Sequence, residues 1–313
     1  MSVGRVAKIM AGTVLGIGAV GAGCLAYAAG YEVRSFRLRR LQVPVLPRDA
    51  VPIRVLHLSD LHLTPGQRKK QDWVNRLAGL EPDLVINTGD NLAHVDAVPA
   101  VVNALGRLLD RPGGYVWGSN DYFGPSFKNP LRYLTQPKRT AKPSDNTLPW
   151  QDLGHAFKQA GWLDLTHTRA TLDIHGVRIG LRGTDDAHLN ADRYAEVAGP
   201  IDRNEVDVAI AVTHAPYRRV LDPMVADGHD LIVAGHTHGG QVCVPFYGAL
   251  VTNCDLDPAR VKGLSTHRVG DQSAYLHVSA GLGTSPYAPV RFACPPEATL
   301  LTLMPRDRPA NPM

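Results

Sequence analysis

Five short apolar runs in this 313-residue chain each lead into residue types that bind divalent cations. Residues 53–58 (IRVLHL) run into Ser59-Asp60-Leu61-His62, and residues 84–87 (LVIN) lead to Gly89-Asp90-Asn91. Residues 115–117 (YVW) are followed by Gly118-Ser119-Asn120-Asp121, and residues 208–212 (VAIAV) by Thr213-His214-Ala215-Pro216. The fifth run, 231–234 (LIVA), opens onto Gly235-His236-Thr237-His238-Gly239-Gly240-Gln241. Ligands of α/β sheets collect beyond the carboxyl ends of the strands, so five such ends can converge on one point. Together they offer Asp60, His62, Asp90, Asn120, His214, His236 and His238: imidazole, carboxylate and amide, with no thiolate. That donor set suits Mn²⁺ first, with Fe²⁺, Zn²⁺ or Mg²⁺ as alternatives, and argues against an Fe–S cluster or a Cys₄ zinc site. Seven ligands exceed one tetrahedral ion and fit two divalent metal ions sharing a bridging carboxylate. Two ions about 3.5–4 Å apart can clamp a phosphoryl group and acidify water.

The elements that must position these residues alternate along the chain. The length and β-branched content of the five runs predict buried strands, separated by helical stretches at about 68–80, 96–109 and 217–226. Further strands are expected over 35–45, 163–173, 177–183, 274–279 and 298–304. Such a pattern predicts a layered α/β sandwich with one core.

Asp-x-His, Gly-Asp, a Gly-x-Asn-Asp element, a lone His and Gly-His-x-His, in that order, resemble the calcineurin-like metallophosphoesterase superfamily. SDLH (59–62) and GHTHGGQ (235–241) look like its membrane-linked bacterial branch, which includes relatives of lipid-linked UDP-diacylglucosamine pyrophosphohydrolases. Gly183-Thr184-Asp185-Asp186, Gly281-Leu282-Gly283-Thr284, Arg291-Phe292 and Pro295-Pro296-Glu297 are similar to that branch too, and the resemblance spans about residues 42–304. It implies a four-layer αββα sandwich and a phosphodiester- or pyrophosphate-hydrolysing enzyme. One metal would be held by Asp60, His62, Asp90 and His238, the other by Asp90, Asn120, His214 and His236. The substrate would be a small phosphoester or a lipid- or nucleotide-linked one.

One element departs from the family. Gly-Asn-His-Asp is usual where this chain reads Gly118-Ser119-Asn120-Asp121. Position for position, Ser119 replaces the ligating Asn and Asn120 the His associated with leaving-group protonation; Asn120 ligates if the loop shifts by one residue. Asp121 and His94 are then the candidate general acids, unless the leaving group needs no proton. The alternatives to hydrolysis of a diester or pyrophosphate are a metal-binding scaffold or sensor with an impaired site, and a protein phosphatase. His57, inside a strand, is expected to be a packed core histidine, while Asp185 and Asp186 fit either a cleft or a turn.

Composition bounds the rest. The chain is 44% hydrophobic and 20% charged, enough to bury a core. Its net charge of +4 divides into +5 over residues 1–40 and −1 over residues 41–313, so no nucleic-acid partner is expected. Residues 9–31 carry no charge and read as an N-terminal transmembrane helix, a single-pass anchor in the cell membrane with its side left open. The expected domains are an anchor and basic juxtamembrane segment (1–40), a metallophosphoesterase domain (41–305) and a tail (306–313). The basic, proline-rich segment 123–149 begins beside Asp121 and is expected to meet an anionic headgroup or membrane surface, or to be a solvated loop.

Overall fold

Four-residue strands such as 84–87 and 231–234 hold in this protein because both of their faces are covered. The structure is a computed structural model, which describes residues 13, 16, 18–126 and 145–306. Its first half contains β1 (Arg37–Leu46), β2 (Ile53–Leu58), α1 (Arg68–Arg76), β3 (Leu84–Asn87), α2 (Val98–Leu105), β4 (Gly113–Tyr115), α3 (Ser119–Tyr122), α4 (Trp150–Gln159) and β5 (Leu163–Asp164). There follow β6 (Arg169–Ile174), β7 (Val177–Gly183), β8 (Val208–Val212), α5 (Arg218–Ala226), β9 (Leu231–Ala234), β10 (Cys243–Val244) and β11 (Gly248–Ala249). The last strands are β12 (Gly263–Val269), β13 (Gln272–Val278) and β14 (Glu297–Pro305).

Two six-stranded sheets result, ordered β1-β14-β2-β3-β4-β5 and β12-β13-β9-β8-β7-β6. In the first, β2 to β5 run parallel, and β14 pairs antiparallel with β2 and parallel with β1. In the second, β7, β8, β9 and β13 are parallel, with β6 and β12 as antiparallel edges. The two-residue period of a strand sends Ile53 and Val55 of β2 inward against the second sheet's Ile210, Val212 and Val233. Leu56 and Leu58 point outward, onto Val74 of α1, Val101 of α2 and Phe157 of α4. The outer face of the second sheet, with Ala211, Ile232 and Leu276, is covered by Val220, Leu221 and Met224 of α5. This is a four-layer αββα arrangement, and each fully buried aliphatic side chain contributes about 1.5–3 kcal/mol.

Two boundaries differ from the sequence pattern. The strand expected at 115–117 sits at Gly113–Tyr115, where the indole of Trp162 and the side chain of Leu165 occupy the space a Cβ would need. The strand expected at 163–173 is divided into β5 and β6 by a turn in which His167 takes φ +50°.

The N-terminal transmembrane helix is a correction. Among the described residues no helix is long and apolar enough to cross a membrane. Part of the expected span, residues 9–12, 14, 15 and 17, lies outside the described residues. Its C-terminal part leaves α-helical geometry: Tyr27–Tyr31 form a π turn and Glu32–Arg34 a 3₁₀ turn. The physical reason is Glu32, which is buried and accepts the backbone N–H groups of Ala293 (3.1 Å) and Cys294 (2.6 Å). Nearby, the N–H of Arg291 donates to the Ala28 carbonyl, and Tyr27 meets the Phe292 ring edge-on. These turns dock on the globular domain rather than continuing an apolar span. Residues 127–144, most of the basic proline-rich segment, and 307–313 also lie outside the described residues.

Removing the Glu32 carboxylate would strand two backbone donors. Glu32→Ala is expected to cost about 1–3 kcal/mol, which would appear as a fall in Tm of about 2–10 °C. Thermal unfolding of the full chain checks this, with Glu32→Gln expected to lose less.

Candidate metal centre

The loops after β2, β3, β8 and β9 and the turn leading into α3 meet at one end of the two sheets, and the backbone there is strained in a patterned way. Asp60 (φ +52°), His62 (φ +40°), Asp90 (φ +57°), His236 (φ +71°) and His238 (φ +49°) all take the left-handed conformation. Non-glycine residues reach it at a cost, and such strain concentrates at functional sites. The close approach needs glycine at two positions. A Cβ on Gly118 would strike the Asp90 carboxylate and the His214 ring, and one on Gly235 would strike Ser59 Oγ and Asp60 Oδ2.

Two groups of potential ligand atoms result: Asp60, His62 and His238, and Asp60, Asp90 and His214. The Oδ2 atom of Asp90 lies 3.4 Å from His62 Nε2 and 3.6 Å from His214 Nε2, and His238 Nε2 is 3.8 Å from Asp60 Oδ1. Two further residues join from the rim. Asn120 reaches Asp90 twice, its backbone N–H donating to Oδ1 (2.7 Å) and its Nδ2 to Oδ2 (2.8 Å). The ring of His236 lies 5.2 Å from that of His214, but its Nε2 is engaged by the carbonyl of Asn253 at 3.1 Å. Any bond from His236 to a cation therefore falls to Nδ1.

Whether this set fits a metal can be tested on its orphaned atoms. His62 Nε2 and His214 Nε2 are buried without a hydrogen-bond partner. For His214 the tautomer is fixed: Nδ1 donates to the Thr88 carbonyl at 2.6 Å, so a neutral ring turns a bare Nε2 lone pair towards Asp90. Such lone pairs, beside carboxylates, are what a divalent cation satisfies.

The electrostatics agree. Burial pushes His62 down to about 4, and His236 and His238 well below the usual histidine value, keeping these rings neutral. Burial likewise pushes Asp60 up to about 6. For Asp90 burial pushes upward but is outweighed by His214, His62 and the Asn120 donors, so its carboxyl is held low. His214 is the inverse case: burial opposes its charge, yet Asp90, Asp186 and Asp60 raise it to about 9. The carboxylates demand positive charge at their centre.

Of the two candidate proton donors, Asp121 is fully buried, and its oxygens accept the N–H groups of Asp90 (2.7 Å), Asn91 (2.7 Å) and Gly118 (3.0 Å). These bonds tie the loop after β3 to the start of α3. His94 is half-exposed and pairs with Asp96, whose N–H donates to Nδ1 at 3.1 Å; no bond to the seven candidate ligands occurs among its described contacts.

Several residues beyond the seven candidate ligands support the site. Asp186 is buried, accepts the His188 N–H through Oδ1, and leaves Oδ2 without a partner. Asp185 accepts the Tyr122 hydroxyl instead, which separates the roles of this acidic pair. His188 lies against His236, ring centres 4.4 Å apart. Arg291 is fully buried and donates to the carbonyls of Ala280, Gly281, Gly283 and Cys294, fixing a loop that packs on Asp60 and His62.

Residues 53–240 match the family model described as Calcineurin-like phosphoesterase. The chain is similar to the uncharacterized protein YpbG of Bacillus subtilis, at 26% identity over 80% of this chain and 81% of that protein. It is also similar to the uncharacterized metallophosphoesterase YkuE of Bacillus subtilis (25% identity; 91% and 94% covered). A third relative is the phosphodiesterase YaeI of Escherichia coli (25% identity; 86% and 88% covered).

If Asp121 positions loops, Asp121→Asn should lower turnover by a similar factor for aryl and alkyl phosphoesters and reduce bound metal. Loss of a general acid would instead penalise the alkyl ester selectively, by up to about 10²–10⁴-fold. Paired kinetics on the two ester types with metal analysis separate the two outcomes.

Proposed function

Since the chain belongs to the calcineurin-like phosphoesterase family and is a metal-dependent phosphoester hydrolase, we propose that it cleaves a phosphodiester or pyrophosphate bond with two divalent ions. The observation that carries this reading is the pair of ligand groups sharing Asp60, with two buried histidine nitrogens left unsatisfied beside Asp90. In this reading Asp60, His62 and His238 hold one ion, and Asn120, His214 and His236 the other. Asp90 Oδ2, facing both His62 and His214, lies between them. Divalent ions bound there supply charge neutralisation at the phosphoryl oxygens and an acidified water, and Mn²⁺ suits the mixed nitrogen and oxygen donors.

The chain's own residues shape the preference. With Ser119-Asn120 in place of a histidine, a leaving group that departs without a proton is favoured, which directs the reading towards a pyrophosphate bond over an alkyl diester. A lipid-linked substrate is supported by the surface beside the site. Val242, Phe246, Tyr247 and Leu250 are exposed apolar residues in the segment that follows the His238–Gly240 turn, and Tyr287 is exposed on the segment between β13 and β14. Gln241 ties these loops together by donating to the Ala288 and Val290 carbonyls. An apolar patch rimming a polar cleft is the arrangement expected to receive an acyl chain.

Three outcomes test this reading. Purified full chain with Mn²⁺ should hydrolyse bis-p-nitrophenyl phosphate, and Asp90→Ala should reduce the rate by about 10³-fold or more, the equivalent of several kcal/mol of lost metal assistance. Inactivity of the Mn²⁺-loaded chain on every diester and pyrophosphate tried would overturn it. Second, protons compete with metal for Asp60 (about 6) and His214 (about 9), so Mn²⁺ affinity should tighten as pH rises from 5 towards 9. Isothermal titration across that range measures it. Third, Phe246→Ser with Tyr247→Ser should depress kcat/KM for a lipid-linked pyrophosphate in mixed micelles while leaving the rate on the soluble diester within about twofold.

A further inference from the structure

Behind Asp60 runs an unbranched chain of buried polar side chains that crosses from one sheet to the other. His57 of β2 and His277 of β13 project from the inner faces of the two sheets, and their Nδ1 atoms are 2.9 Å apart. His57 Nε2 lies 2.9 Å from Thr88 Oγ1, Thr88 Oγ1 is 2.7 Å from Ser59 Oγ, and the Ser59 hydroxyl donates to Asp60 Oδ2. All five residues are buried. The apolar core could be filled by aliphatic residues at these positions at less desolvation cost, so a polar chain there calls for an explanation.

The directions of its protons follow from chemistry. An ionised carboxylate only accepts, so Ser59 must donate to Asp60, and Thr88 in turn donates to Ser59. With its one proton committed, Thr88 accepts from His57, which places the proton of that ring on Nε2 and leaves Nδ1 as an acceptor. His277 must then donate through Nδ1. Its Nε2 becomes a lone pair, and this atom is buried with no partner, which closes the chain. The reverse order would set two lone pairs against each other at Ser59 or Thr88. Burial keeps both imidazoles neutral, and the His236 N–H is shared between Asp60 Oδ2 (3.1 Å) and Oδ1 (3.2 Å), with Oδ1 also facing His238.

We propose that His277, His57, Thr88 and Ser59 are positioning residues that hold Asp60 in one rotation for cation binding. This rests on Asp60 being a metal ligand. Aligned donors polarise one another, and removing an outer partner of a ligand weakens metal binding by about 10–100-fold.

The experiment has two parts, both on the full chain. Long-range ¹H–¹⁵N spectra of the Mg²⁺-loaded protein should show His57 protonated on Nε2 and His277 on Nδ1 between pH 6 and 9; the opposite tautomer at either ring overturns the proposal. Mn²⁺ titration followed by electron paramagnetic resonance should show Ser59→Ala and the isosteric Thr88→Val binding about 10–100-fold more weakly. Thr88→Ser, which keeps the hydroxyl, should restore the affinity. If Thr88→Val lowers Tm but leaves Mn²⁺ affinity unchanged, the chain is merely structural and the proposal fails. Asp60→Asn separates metal ligation from positioning. Undiminished Mn²⁺ binding in Asp60→Asn removes the ligand assignment itself. Lost binding in Asp60→Asn with normal binding in Ser59→Ala and Thr88→Val removes only the positioning role.

Discussion

Four carboxylates, Asp60, Asp90, Asp121 and Asp186, are buried together at one end of the two sheets, and most of the surrounding architecture answers the cost of that burial. An unpaired charge in a protein interior costs several kcal/mol, so each must be met by donors or by a cation. Asp121 is met entirely by backbone, through three N–H groups from two loops. Asp90 receives both donors of Asn120, and Asp60 receives Ser59 and the His236 backbone. What these bonds leave unanswered is positive charge at the centre, visible in the raised His214 and in two histidine nitrogens with no partner.

Holding such a cluster demands a backbone that strands and helices cannot supply. The left-handed conformations at five candidate ligands turn their side chains inward from loops that leave parallel strands side by side. Glycines at 118 and 235 let those loops touch the ligands themselves. The supports lie outside the site: Arg291 gathers the carbonyls of the 280–283 loop, and Lys70 donates to the Leu61 and His62 carbonyls from beneath. Burial drives Lys70 down to about 7, so even this support is held at an electrostatic cost. The β-sandwich core supplies the stability that this strain draws on.

The same constraint separates what could be read from the chain from what could not. Strands 53–58, 84–87, 208–212 and 231–234 were legible because a strand buried on both faces must be a short, uninterrupted apolar run. The placement of Asp60, His62, Asp90, His214, His236 and His238 followed, since each stands immediately after such a run. The Gly113–Tyr115 strand was displaced by packing from Trp162, a contact with no local trace. The uncharged segment at 9–31 was misread for a related reason. Hydropathy sees an apolar stretch, but not that Glu32 just beyond it would find two backbone donors near residue 293 and draw the chain onto the domain.

Sequence alone therefore determined the alternation of strands and helices, the donor types and the order in which they arrive, because these depend on periodicity and on residue chemistry that is local. Tertiary structure alone decided how those donors are used. It gave Asp121 three backbone donors from two loops, gave Asp185 and Asp186 different partners, and aligned His277, His57, Thr88 and Ser59 behind Asp60. Proton direction, burial and orphaned lone pairs arise between residues up to 220 positions apart, and they exist only once two sheets have closed on one another.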